Sequence, residues 1–172
     1  MTYPRNRKII IGMDPGFTGA IGVIDLVDNE CRYIEDMPTL IDRKGKKQID
    51  VGTLSNIVLD LDSRFDIQFA AVEKVGSMPN QGLSSTFRFG YGAGTLEGVL
   101  RAHDVDCRFY LPQMWKACLG LSPSKKESLI LARKLWPDAS KYFKRAKDDG
   151  RAEACLIAHY ARKLYNDLKR KP

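Results

Sequence analysis

The chain has 172 residues, 44% hydrophobic and 28% charged, with a formal charge of +7. That is enough chain for one domain to bury a core without disulfides or a structural metal. Residues 1–86 carry 10 Lys+Arg against 12 Asp+Glu and residues 87–172 carry 18 against 9, a balance of −2 and +9. This asymmetry points to a polyanionic partner met mainly by the second half. The start, MTYPRNRKIII, is too short an apolar run for a signal peptide or a membrane span. Cys31, Cys107, Cys118 and Cys155 show no CxxC spacing, so we read them as buried free thiols of a cytosolic protein rather than a zinc site.

The first element is a β-branched apolar run over residues 8–13, closed by Asp14-Pro15-Gly16, which predicts a buried central strand ending in a turn. Residues 18–26 and 31–37 predict two further strands joined by a turn, making an antiparallel meander. Residues 42–48 form a basic polar loop with Arg43, Lys44, Lys46 and Lys47. Residues 50–63 place Leu54, Ile57, Val58 and Leu61 at helical spacing. A fourth strand follows at 67–75, then a loop over 76–82, a long glycine-rich helix at 84–103 and a fifth strand at 107–111. Helices at 124–134 and 149–168 complete the order β-β-β-α-β-α-β-α-α. This is an α/β chain with a five-stranded mixed sheet and helices on both faces, in one domain spanning residues 1–172.

Two acids are out of place in this pattern. Asp14 ends the first apolar strand, and Glu73 ends another, Phe69-Ala70-Ala71-Val72-Glu73. A carboxylate at such a site is costly to desolvate unless something cationic meets it. A turn cap, or pairing with a lysine such as the adjacent Lys74, accounts for either acid alone, but less easily for both. In the last helix Ala154, Ile157, Ala158, Ala161, Leu164, Tyr165 and Leu168 form one apolar stripe. At roughly 100° per residue, Asp149 and Glu153 share one edge of that stripe, about 40° apart, and Asp148 falls about 100° the other way, toward solvent. An acid at a helix N-terminus is ordinary, but Glu153 lies in the second turn. Asp14, Glu73, Asp149 and Glu153 therefore form the oxygen ligand set that hard divalent cations take. Two Mg²⁺ ions ~3.5–4 Å apart can drive in-line displacement at phosphorus, with Mn²⁺ as a substitute. His103 and His159 are read as core-edge or surface residues, and no Ser-His-Asp or Cys-His set competes.

The segments Ile10-Ile11-Gly12-Met13-Asp14-Pro15-Gly16-Phe17-Thr18-Gly19, Ala71-Val72-Glu73-Lys74, Leu111-Pro112 through Lys116, Ser124-Lys125-Lys126-Glu127 and Asp149-Gly150-Arg151-Ala152-Glu153-Ala154 occur in this order across nearly the whole chain. Together they resemble the RuvC family of Holliday-junction resolvases. The resemblance implies an RNase H-like fold, a homodimer, divalent metal held by the four acids, and symmetric nicking of a four-way DNA junction. Many bacterial members carry two Asp three residues apart in the last helix; here Gly150 stands three before Glu153, and Asp149 takes the partner role. The loop after the second acid holds Met78 where many members have an aromatic wedge. This divergence suggests a phage or other mobile-element version.

Lys116, Lys125, Lys126, Lys144, Arg145 and Lys147 lead up to the acidic helix and are expected to contact phosphates, as is Lys74. Asn80, Gln81 and Arg88 are candidates for the strand crossover. Gly90, Gly92, Gly94 and Gly98 each cost a helix about 1 kcal/mol relative to Ala, so close approach of a neighbouring backbone, from the sheet or a second subunit, is expected. Phe87, Phe89 and Tyr91 are read as core first, dimer contact or base-stacking residues second, and Trp115 and Trp136 as packing residues. Two other readings stay open: a branched-DNA-binding protein with vestigial acids, and a sugar-kinase or actin-like ATPase, a fold that needs two such domains.

Overall fold

Alternating burial is absent from the central strands because helices cover both faces of the sheet. In the computed structural model, which describes residues 7–74, 76 and 82–170, β1 (Lys8–Met13) and β2 (Ala20–Asp25) are apolar almost throughout. They pair antiparallel, and β3 (Cys31–Asp36) adds to β2 in the same sense. On the other side of β1, β6 (Asp66–Glu73) and β7 (Cys107–Tyr110) run parallel to it, so the sheet order is β3-β2-β1-β6-β7. The expected mixed five-stranded sheet is thus present, with β1 in the middle.

Helix α1 (Val51–Arg64) starts where the Asp50 carboxylate accepts from the Thr53 N–H at 3.0 Å, and it buries the expected Leu54, Ile57, Val58 and Leu61. With α2 (Leu83–Ala102) it covers one face of the sheet. On the opposite face lie α3 (Pro112–Cys118), α4 (Lys125–Leu135) and α5 (Asp149–Arg170), joined by 3₁₀ turns at Pro137–Phe143 and Ala146–Asp148. The α5 stripe is buried through Ala161, but Leu168 is exposed.

Three features depart from the expected elements. The basic loop at 42–48 is the tip of a separate hairpin, β4 (Thr39–Ile41) against β5 (Lys47–Ile49). The second strand begins at Ala20 rather than 18, because the Gly19 N–H closes a turn onto the Gly16 carbonyl at 2.8 Å. Helix α3 was not expected; Pro112 opens it at the first position, where a missing N–H costs nothing.

Candidate active site

Because β1 and β6 are parallel neighbours with Met13 opposite Val72, both strands end at the same edge of the sheet and release Asp14 and Glu73 side by side. Helix α5 lies across this edge at unusually short range. A Cβ on Gly12 would stand 1.9 Å from the Ala154 carbonyl oxygen, and one on Gly150 would stand 2.6 Å from that of Thr18. Only glycine lets the helix settle there, and it carries Asp149 and Glu153 in with it.

The electrostatics report the convergence. Burial pushes the Asp14 carboxyl up to about 6; the Gly16 N–H, donating to Oδ1 at 3.1 Å, opposes this, while the charges of Glu153 and Asp149 add to it. Burial, and next the Asp14 charge, push Glu73 up to about 7 against a hydrogen bond from the Trp115 indole N–H at 3.0 Å. The buried Glu153 accepts from Lys116 Nζ at 2.8 Å and from Ser128 Oγ at 3.2 Å, both on Oε1. Asp149 is paired with Lys125 Nζ.

Among the described residues no three His, Cys, Asp or Glu side chains stand close enough to share one ion in this arrangement. Lysines neutralise the two α5 acids instead. The donor set still suits a hard cation: it is all carboxylate, and burial together with neighbouring acidic charge raises two of its members, Asp14 and Glu73, toward protonation. Of the two lysines, Lys125 is 68% exposed and Lys116 only 15%.

Asp148 does not point to solvent as the helical angle implied. It precedes α5 in a 3₁₀ turn and is 2% exposed, accepting from the Arg145 backbone N–H at 2.8 Å and from its guanidinium at 2.7 and 3.0 Å, with Arg151 at 3.8 Å. Burial opposes its ionisation, yet the Arg145 bonds hold the carboxyl below its usual range. Asp148 is thus an ion-paired structural acid, and Asp149 is the acid of this pair that faces the site. Arg145 is committed to that pairing.

Lys74, Lys126, Lys144 and Lys147 are exposed, as is Arg88, which lines a cleft with Phe17 and Phe89. Asn80, Gln81 and Met78 lie outside the described residues. Phe87 and Tyr91, expected in the core, are 74% and 52% exposed and stack on each other along a cleft that α2 forms with Phe17, Lys46 and Lys47, and Phe89 is exposed too, in a cleft with Pro15 and Phe17. Of the four α2 glycines only Gly92 meets a neighbouring backbone, its Cβ position lying 3.3 Å from the Pro15 carbonyl; the other three face open space. Cys118, expected buried, is exposed at the end of α3, and Cys31 is half-buried. His103 and His159 bond to Ser55 and Asn29, away from the acids. Trp115 and Trp136 are buried as expected, but packing was not the whole role of Trp115, and Ser128 was missed; both reach their acids from distant segments.

No protein-family model matches the chain. It is 26% identical over 148 residues to the crossover junction endodeoxyribonuclease RuvC of Orientia tsutsugamushi (strain Boryong), covering 85% of this chain and 92% of that protein. Its fold superposes on Thermus thermophilus RuvC in complex with a Holliday junction substrate with a TM-score of 0.62 at 21% identity, over 91% of this chain and 96% of that one. The chain is RuvC-like. A second Thermus thermophilus RuvC structure gives a TM-score of 0.60 at 22% identity with the same coverage. At these identities the structures speak for the RNase H-like fold. Within this RuvC-like frame the absence of an acid at 150 has a local cause: the Thr18–Gly19 backbone occupies the space a side chain would need.

Proposed function

We propose that this chain is a structure-selective endodeoxyribonuclease that resolves Holliday junctions or related branched DNA by metal-dependent phosphodiester hydrolysis. The observation that carries the reading is the gathering of four carboxylates from two parallel strand ends and one helix at a single sheet edge. The RuvC likeness in sequence and fold supports it. Asp14, Glu73, Asp149 and Glu153 would hold divalent cations, two Mg²⁺ or Mn²⁺, which when bound activate the attacking water and stabilise the leaving oxygen. The chain's own part is to fix these carboxylates. The Gly16 N–H and the Trp115 indole orient Asp14 and Glu73, Lys116 holds Glu153, and the exposed Lys125, Lys126, Lys144 and Lys147 draw the phosphate backbone toward them.

A homodimer fits this reading, since symmetric nicking of a four-way junction needs two sites. The exposed apolar side chains of α2, Leu83, Phe87 and Tyr91, support pairing near the cleft this helix forms with the β4–β5 hairpin.

The test is nicking of a synthetic four-way junction beside a linear duplex of the same sequence. Mg²⁺- or Mn²⁺-dependent cleavage confined to the junction is expected, lost in Asp14→Asn with binding retained and steeply salt-dependent. Metal-independent cleavage, or none by folded protein with either ion, would overturn the proposal; junction binding without cleavage would favour a non-catalytic binding protein of the same fold.

A further inference from the structure

The β4–β5 hairpin carries the densest cationic cluster of the first half of the chain, on a segment whose acidic half-charge does not foreshadow it. Arg43, Lys44, Lys46 and Lys47 are all exposed, and among the described residues none of them forms an ion pair, whereas Arg7, Arg32, Arg64, Arg101, Arg108 and Arg151 all do. The nearest acid, Asp42, is occupied otherwise. Its Oδ1 accepts the backbone N–H groups of Lys44 and Lys46, both at 2.8 Å, and its carbonyl accepts from Gly45, which sits at φ +73°. The carboxylate thus shapes the tip and leaves the four cations exposed, with Lys46 and Lys47 along the cleft toward α2.

The hairpin is also tied to the catalytic loop. At its root Met37 and Ile49 are buried, and the Met37 N–H donates to the Gly19 carbonyl at 2.9 Å, in the loop that Asp14 opens. Lys47 lines a cleft of about 680 Å³ together with Thr18, Lys147 and Asp149. Three residues per strand carry the tip about 10 Å beyond that root. Four cations within five residues at the tip match a run of phosphates rather than one small anion, since duplex DNA carries a charge every ~1.7 Å of axis.

We infer that the β4–β5 hairpin is a second DNA contact, in which Arg43, Lys44, Lys46 and Lys47 hold the phosphate backbone of one duplex arm beside the cleft. This rests on the branched-DNA reading above. The hairpin carries no base-reading role, so its contribution is independent of arm sequence.

The experiment compares the parent with R43Q/K44Q/K46Q/K47Q on junctions whose arms run about two helical turns, with thermal unfolding of both proteins recorded beside the binding. The variant should unfold at the parent's temperature yet bind at least about tenfold more weakly near physiological salt, and the slope of log affinity against log salt should flatten by about 2–4. A second variant, R43K/K44R/K46R/K47R, should match the parent in both measurements. Unchanged affinity and salt slope in the folded glutamine variant overturn the inference while the parent's own binding and cleavage leave the nuclease reading standing. A parent that binds no junction overturns both.

Discussion

The indole N–H of the fully buried Trp115 donates to Glu73 Oε2 at 3.0 Å, joining α3 to the end of β6 across 42 positions of sequence. The bond favours the ionised carboxylate and counteracts the burial that pushes Glu73 up to about 7. Trp115→Phe keeps most of the apolar volume and removes the donor, so Glu73 should hold its proton to still higher pH. The acid limb of the nicking rate against pH should move up by about one unit or less. A profile superimposable on the parent's would reduce Trp115 to a packing residue.

Lys116 stands on Glu153 in a pair with side-chain exposures of 15% and 9%. Lys116→Met leaves Glu153 as an unpaired buried charge, at a cost of about 3 kcal/mol in urea unfolding with chelator present. Saturating Mg²⁺ or Mn²⁺ should recover part of that loss by replacing the missing ammonium charge. Equal losses with and without the ion would mean that no cation reaches Glu153.

Asp14 and Glu73 keep their protons to about 6 and about 7 in the fold, against ordinary values of 3.8 and 4.5. In this window the unfolded chain binds fewer protons than the native one, so these groups favour the fold at low pH and lose that contribution as pH rises toward 7. Asp14→Asn removes one of them. In metal-free buffer the variant should gain on its parent from about 0.5 kcal/mol near pH 4 to about 3 kcal/mol at pH 8. A difference that stays flat across pH would argue against burial as the source of the shift.

Gly150 is pressed against the Thr18–Gly19 backbone, with a Cβ position 2.6 Å from the Thr18 oxygen and 3.0 Å from the Gly19 Cα. Gly150→Ala should cost about 1–3 kcal/mol and slow nicking more than its effect on junction binding, because α5 must back away from Asp14. Gly52→Ala is the control: its Cβ would meet only the Asp50 carboxylate at 3.6 Å, and helix propensity should stabilise it by about 0.5 kcal/mol. Similar thermal shifts in both variants would contradict the close helix–loop contact.

Local pattern determined much of this protein. The apolar run before Asp14, the α1 stripe of Leu54, Ile57, Val58 and Leu61, and the edge shared by Asp149 and Glu153 were legible because strand and helix periodicities repeat within a few residues. The order of elements then followed, and with it the sheet that sets Asp14 beside Glu73. Tertiary structure alone decided the fate of Asp148, whose outward angle was overridden because it lies in the 3₁₀ turn before the helix, where Arg145 captured it. It also decided that Phe87 and Tyr91 lie exposed along the cleft beside the β4–β5 hairpin and outside the core, since an aromatic on a helix has no inward direction until a neighbour supplies one. The bonds Trp115–Glu73, Lys116–Glu153 and Ser128–Glu153 join segments 25 to 42 residues apart. Periodicity records which way a side chain points along its own element, and carries no information on what another element brings to meet it.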